Sequence, residues 1–139
     1  MIVVDTNVVS EIMKPSPAIA VTHWLDGENG ADLYTTSITV AEVLYGIERL
    51  PVGRRKELLR ATAVEVFAAF EHQVLAFDEN AAVDFAWIVD RRERLGNRID
   101  GFDAQIAAIC RTHGATLATR NVKDFLDAGI EVVDPWSTP

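Results

Sequence analysis

Cysteine is nearly missing. Cys110 is the only one in 139 residues, so no internal disulfide can form, which fits a reducing compartment. No apolar run approaches the roughly 18 residues of a membrane span. No basic flank precedes an apolar core at the N-terminus, so no signal peptide is read. These absences predict a soluble, cytoplasmic protein that makes no use of a membrane. Histidine is scarce and scattered (His23, His72, His113), with no metal-ligand spacing. There is no Gly-rich phosphate loop and no nucleophile elbow. Internal repeats, low-complexity tracts and linkers are also absent, which predicts one domain over 1–139. Positive charge is in the minority: the net charge is −8, against the basic footprint usual for nucleic-acid binding.

What is present is a core and a pattern. Apolar residues make up 49% of the chain, which excludes disorder. The basic residues are concentrated while the acids are spread. Arg49, Arg54, Arg55, Lys56 and Arg60 crowd one segment, and Arg91, Arg92, Arg94 and Arg98 another. Each crowd reads either as a solvated helix face or as a set of phosphate contacts. Trp24, Trp87 and Trp136 read as core or interface residues, and Cys110 as core.

The opening stretch Ile2-Val3-Val4 runs straight into Asp5, with nothing polar alternating. It reads as a short strand buried on both faces. Further strands are predicted at 33–36, 74–77, 116–119 and 131–133. Helices are predicted at 6–13, 17–26, from about 39 to 50, at 54–71, at 78–95 and from 102 to 113. Thr39 and Glu42 have the form of a capping box. The 54–71 helix has Leu58, Leu59, Ala61, Val64, Val66, Phe67 and Phe70 as its apolar set. The 78–95 helix places Val83, Trp87, Ile88 and Val89 inward. Gly114 stops the helix before it. Strands alternating with helices predict an α/β fold with a mostly parallel sheet covered on both faces.

Four acids fall just past a strand or in the first turn of the helix after one: Asp5, Glu42, Asp103 and Asp124. In a parallel α/β sheet those places line one edge, where ligands bind. Carboxylates brought together there repel unless a cation or shared protons compensate. Oxygen donors without His or Cys favour Mg²⁺ or Mn²⁺. Each acid also has a structural explanation. Asp5 suits a helix N-cap, Glu42 the capping box, and Asp103 a first-turn acid with Asp100 competing for its role. Asp124 sits before an apolar Phe125 in a short helix, a commonplace setting.

Val3-Val4-Asp5-Thr6-Asn7, Thr39-Val40-Ala41-Glu42, Asp103-Ala104-Gln105-Ile106-Ala107-Ala108 and Ala118-Thr119-Arg120-Asn121-Val122-Lys123-Asp124-Phe125 together resemble the PIN domain. They resemble in particular the VapC and FitB-like toxins of type II toxin–antitoxin pairs. The resemblance spans nearly the whole chain, with the motifs in the family's order. It implies a three-layer α/β/α sandwich and an endoribonuclease dependent on Mg²⁺ or Mn²⁺. It also implies a homodimer and inhibition by a cognate antitoxin. Asp5, Glu42 and Asp103 match the family's metal-binding acids. Where many members carry a fourth acid after the Thr-Arg pair, this chain has Asn121, and Asp124 lies one helical turn on. Thr6 and Thr119 match small hydroxyl positions, and Asn7 and Asn121 join them as supporting polar groups. Asp5 and Asp103 are expected to bind one Mg²⁺ directly, with Glu42 direct or through water. Arg54, Arg55, Lys56 and Arg98 become the candidates for RNA contact. The first two helices and residues 43–50 are the expected walls of an antitoxin groove.

Two other readings compete. A haloacid-dehalogenase-like phosphotransferase also opens with a strand and an Asp, but needs a second Asp where this chain has Asn7. A PIN-like module that binds RNA or a partner without cutting fits Asn121 and the net negative charge. The set Asp5, Glu42 and Asp103 weighs against it.

Overall fold

The computed structural model describes residues 1–137. Five strands form one sheet: β1 (Ile2–Val4), β2 (Leu33–Thr36), β3 (Val74–Leu75), β4 (Thr116–Ala118) and β5 (Val132–Val133). Their order is β3-β2-β1-β4-β5 and every pairing is parallel, so the expected mostly parallel sheet is wholly so. β1 is central. The chain leaves it towards β2 on one side and reaches β4 on the other, so Asp5 stands at the point where strand order switches.

Six helices cover the sheet: α1 (Thr6–Ile12), α2 (Ile19–Asp26), α3 (Ser37–Glu48), α4 (Arg54–Ala68), α5 (Glu79–Arg94) and α6 (Gly101–His113). Strand geometry sends successive side chains to opposite faces. Val3 and Leu117 accordingly join a core with Ile88 of α5 and Ile106 and Ile109 of α6. Val4 and Ala118 join another with Val8 and Val9 of α1, Val21 of α2, and Val43 and Ile47 of α3. The sheet is thus sandwiched between α5–α6 and α1–α4, the three-layer arrangement the sequence predicts.

Three local expectations change. The N-cap of α3 is Thr36, whose hydroxyl accepts from the Thr39 N–H at 3.1 Å. The helix starts at Ser37, so Glu42 lies beyond the first turn and is released from any capping box. On α5 the buried stripe is Ala81, Ile88 and Arg92, with Phe85 half-buried, while Val83 is 70% and Trp87 40% exposed. Arg92, read as part of a solvated basic face or a phosphate contact, is 2% exposed. Its guanidinium donates to the carbonyls of Asn97 (2.7 Å), Asp124 (2.7 Å) and Leu126 (2.9 Å). On α4 only Ala63 is fully buried, whereas Leu58 and Val64 are exposed, so this helix lies against the body by one edge.

Candidate active site

Asp5 follows β1 directly, and its N–H continues the parallel ladder by donating to Ala118 O at 2.9 Å. It is the N-cap of α1, with Oδ1 accepting from the Thr6 N–H at 2.8 Å. Its other oxygen accepts from Thr119 Oγ1 at 2.7 Å and from Asn7 Nδ2 at 3.3 Å. Thr119 comes from the end of β4, the neighbouring strand. Cap and site reading therefore coincide in one carboxylate. It is only 3% exposed, and burial raises its pKa against the three donors that lower it.

Glu42 reaches the same edge from α3. Its Oε1 accepts from Thr6 Oγ1 at 2.8 Å, and that hydroxyl lies 3.1 Å from Thr39 Oγ1. Burial raises its pKa, and the Asp5 and Asp100 charges add to the shift. Asp103 sits in the first turn of α6, whose N-cap is Asp100. The Asp100 carboxylate accepts from the Phe102 and Asp103 N–H groups. Capping thus falls to Asp100 and leaves Asp103 free of it. Among the described residues the Asp103 carboxylate accepts no hydrogen bond. Burial, and then the charges of Asp5, Asp100, Asp124 and Glu42, push it up to about 7.

Asp124 belongs to a 3-10 turn (Val122–Phe125) and lies in a cavity of about 560 Å³ that also holds Asp100, Asp103, Arg98 and Lys123. The backbone of this turn is held by Arg92. Asn121 faces the other side. It lines a cavity of about 440 Å³ with Asp5, Glu42 and Asp103, and its N–H donates to Thr119 Oγ1 at 3.1 Å. The structure therefore brings Asp5, Glu42, Asp103, Asp124, Thr6, Asn7, Thr119 and Asn121 to one sheet edge. Asp103 is shared by the two cavities.

Of the basic candidates, Arg98 lies beside this cluster. Arg54 and Arg55 line a separate apolar groove. Lys56 is engaged by Glu48, donating to its carbonyl at 2.8 Å. Sequence reading missed Arg120, Lys14 and Trp136, which line the cavity over the acids. Arg120 sat within a quoted motif, and its place next to Thr119 was the available signal.

The groove adjoins the site and has a volume of about 790 Å³. Met13, which caps the end of α1, Val43 and Ile47 of α3, and Leu58 and Leu59 of α4 form its walls, while Thr6 and Glu42 line both groove and site. α4 takes the place expected for α2, which contributes no lining residue.

The donor set at the sheet edge is all oxygen, which suits a hard divalent cation. Among the described residues no three acids, histidines or cysteines are grouped tightly enough to hold one ion between them. The unbonded Asp103 carboxylate, crowded by four others, is the uncompensated charge that a cation would relieve. An ion retaining several waters, as Mg²⁺ does, needs only one or two direct carboxylates.

A PIN-domain model matches residues 2–130. The VapC ribonuclease Y4jK of Sinorhizobium fredii is 37% identical over 98% of this chain and 98% of its own length. The toxin FitB of Neisseria gonorrhoeae is 36% identical over 98% of this chain and 99% of its own. A solved structure of FitAB bound to an IR36 DNA fragment superposes with a TM-score of 0.93 at 36% identity, covering 100% of this chain and 98% of that one. With these likenesses spanning its length, and with Asp5, Glu42 and Asp103 at one sheet edge, the chain belongs to the PIN-domain family and, within it, to the VapC- and FitB-like proteins.

Proposed function

We propose that the chain is a metal-dependent endoribonuclease and the toxin of a type II toxin–antitoxin pair. The observation that carries this is the Asp103 carboxylate, free of donors and raised to about 7 within a cluster of acids. Relatives of matching length are named a VapC ribonuclease and a toxin. Asp5 and Asp103 would hold Mg²⁺, or Mn²⁺ in its place, with Glu42 acting directly or through water. Bound there, the ion supplies an acidified water and charge compensation for the scissile phosphate.

The chain's own residues set the conditions. Thr119 and Asn7 fix the Asp5 carboxylate, and Thr6 fixes Glu42. Among the described residues no histidine lines the site cavity, which leaves proton transfer to a carboxylate or to the ion's own water. Glu42, with its raised pKa and one oxygen outside the Thr6 bond, is placed to take or return a proton. Asp124 shares a cavity with Asp103 rather than with Asn121, whose position matches the family's fourth acid, and bears on the cluster through its charge.

The apolar groove supports the partner. An amphipathic antitoxin helix laid against Ile47, Leu58 and Leu59 would reach the acids, because Thr6 and Glu42 line both spaces. An arginine at the end of such a segment would pair with the cluster. Exposed Val83 and Trp87 on α5 are the apolar surface that a homodimer would cover.

The test is cleavage of total RNA by the purified protein with Mg²⁺, with chelator, and by Asp103→Asn in parallel. Cleavage requiring both the metal and Asp103 is the expected result. Full activity in the variant overturns the assignment, and RNA binding without product favours the non-cleaving module.

A further inference from the structure

The cavity over the acids is larger than a hydrated ion requires. Its volume of about 440 Å³ lies in the range of small-ligand pockets, which begin at roughly 300 Å³. Asp5, Glu42 and Asp103 contribute its acidic side, and Lys14, Arg120 and Trp136 also line it. Lys14 is already engaged, its ammonium 2.9 Å from Glu11 Oε1. Arg120 is exposed, and among the described residues its guanidinium is within ion-pair distance of no carboxylate.

Both members of this wall are anchored. The backbone N–H of Arg120 donates to Asn7 Oδ1 at 3.2 Å, and Asn7 Nδ2 reaches Asp5, so the main chain that carries the cation is registered to the central acid. The guanidinium carbon lies 5.1 Å from the Trp136 ring centroid. The backbone N–H of Trp136 donates to Asp134 Oδ1 at 2.9 Å, and its side chain packs on the core that contains Val4 and Ala118. A guanidinium resting on an indole has lost rotamer freedom before any ligand arrives, so less is lost on binding.

A fork of N–H donors suits the two free oxygens of a phosphodiester, and an aromatic face suits a nucleobase. Single-stranded RNA presents both together, which a protein segment does not. We infer that Arg120 and Trp136 form a nucleotide clamp, in which the N–H edge of Arg120 takes a phosphate flanking the scissile one and the base attached to it stacks on the guanidinium plane that Trp136 backs. The clamp rests on RNA being the substrate. It sets where along a strand the cut falls, and it supplies a positive contact beside the acids of a chain whose net charge is −8.

The test uses a short single-stranded oligoribonucleotide for cleavage and its 2′-O-methyl analogue for binding, read by quenching of tryptophan fluorescence. Arg120→Ala should raise KM about tenfold with kcat within threefold, and should reduce the slope of log K against log salt by about 0.7. Arg120→Lys should keep the salt slope but recover only part of the affinity. Trp136→Leu should raise KM several-fold and abolish the quench, while Trp136→Phe retains most of the affinity. Unchanged KM and salt slope in Arg120→Ala, with cleavage intact, would overturn the clamp and leave the ribonuclease standing. Loss of thermal stability in that variant without a change in KM would reduce Arg120 to a packing role and overturn it too. Analogue binding that depends on Arg120 in a protein that cuts no RNA would uphold the clamp and sink the nuclease reading. Competition for the cavity by the antitoxin, with no binding of the analogue, would assign this wall to the protein partner instead.

Discussion

Thr119 Oγ1 donates to Asp5 Oδ2 at 2.7 Å and has no bonding capacity left over. It accepts from Asn7 Nδ2 and from the Asn121 N–H, each at 3.1 Å. One hydroxyl, fully buried, therefore fixes the central carboxylate and two polar neighbours at once. Thr119→Val keeps the shape and removes all three bonds. It should lower stability by about 2–3 kcal/mol in urea unfolding and depress RNA cleavage. Thr119→Ser should retain both. Equal behaviour of the two variants would show that the hydroxyl is dispensable.

Asp103 links stability to pH. Its carboxyl is raised from an ordinary 3.8 to about 7 in the fold. Between those values the folded chain holds a proton that the unfolded chain has lost. Stability of the metal-free protein should therefore fall as pH rises from about 4 to about 7, then level off. Asp103→Asn should flatten most of that slope and, with solvent screening discounted, stabilise the chelated protein at pH 8 by about 1–2 kcal/mol. Urea midpoints at pH 5 and pH 8 in chelator decide this; a higher wild-type midpoint at pH 8 refutes it. Added Mg²⁺ should restore stability at pH 8.

Thr6 sets the charge state of Glu42. Its hydroxyl is the one side-chain donor that lowers the Glu42 pKa against burial. Thr6→Val should move the acidic limb of the pH–rate profile upward. A limb that stays in place would take Glu42 out of proton transfer.

Arg92 is a buried cation satisfied by carbonyls alone. Arg92→Met should cost about 3 kcal/mol, because three backbone acceptors lose their donor. Arg92→Lys should recover only part of this, lacking the planar fork. Amide exchange should show loosening of residues 122–126 in both variants. Protection unchanged from wild type would mean that Phe125 packing alone holds that turn.

Leu58 is 58% exposed in the groove wall. On the proposed function, Leu58→Asp should abolish copurification with the product of the neighbouring reading frame and leave cleavage within about twofold, since surface changes are usually worth less than about 0.5 kcal/mol to the fold. Intact copurification would move the partner to another surface.

The sheet was legible because its strands are short apolar runs ending in polar residues, and the acids were legible because strand ends converge. What stayed hidden was long-range. Thr119 lies 114 residues from Asp5, and only the adjacency of β1 and β4 joins them. The Thr39–Glu42 spacing imitates a cap, yet Thr36 reaches the Thr39 N–H first and frees Glu42. Arg92 looked solvated because charge normally is, but α5 turns that position onto the Asn97 loop and the 3-10 turn. Val83 and Trp87 are apolar yet lie outside the Ala81–Phe85–Ile88–Arg92 stripe. One face of Trp87 is taken by Arg111, whose guanidinium carbon lies 3.6 Å from the ring centroid, and the residue stays 40% exposed. Residue type alone does not carry the phase of a helix.

Asp5 is both the anchor of α1 and the innermost site acid, whereas Asp103 caps nothing. Genetic escape from a toxic chain should therefore divide into two kinds. Lesions at Asp5 weaken the body and should disappear from the cell as cleared protein. On the proposed function, lesions at Asp103 should leave an inert, sturdy decoy that still occupies the antitoxin, so a cell carrying such an allele should sensitise its own wild-type copy.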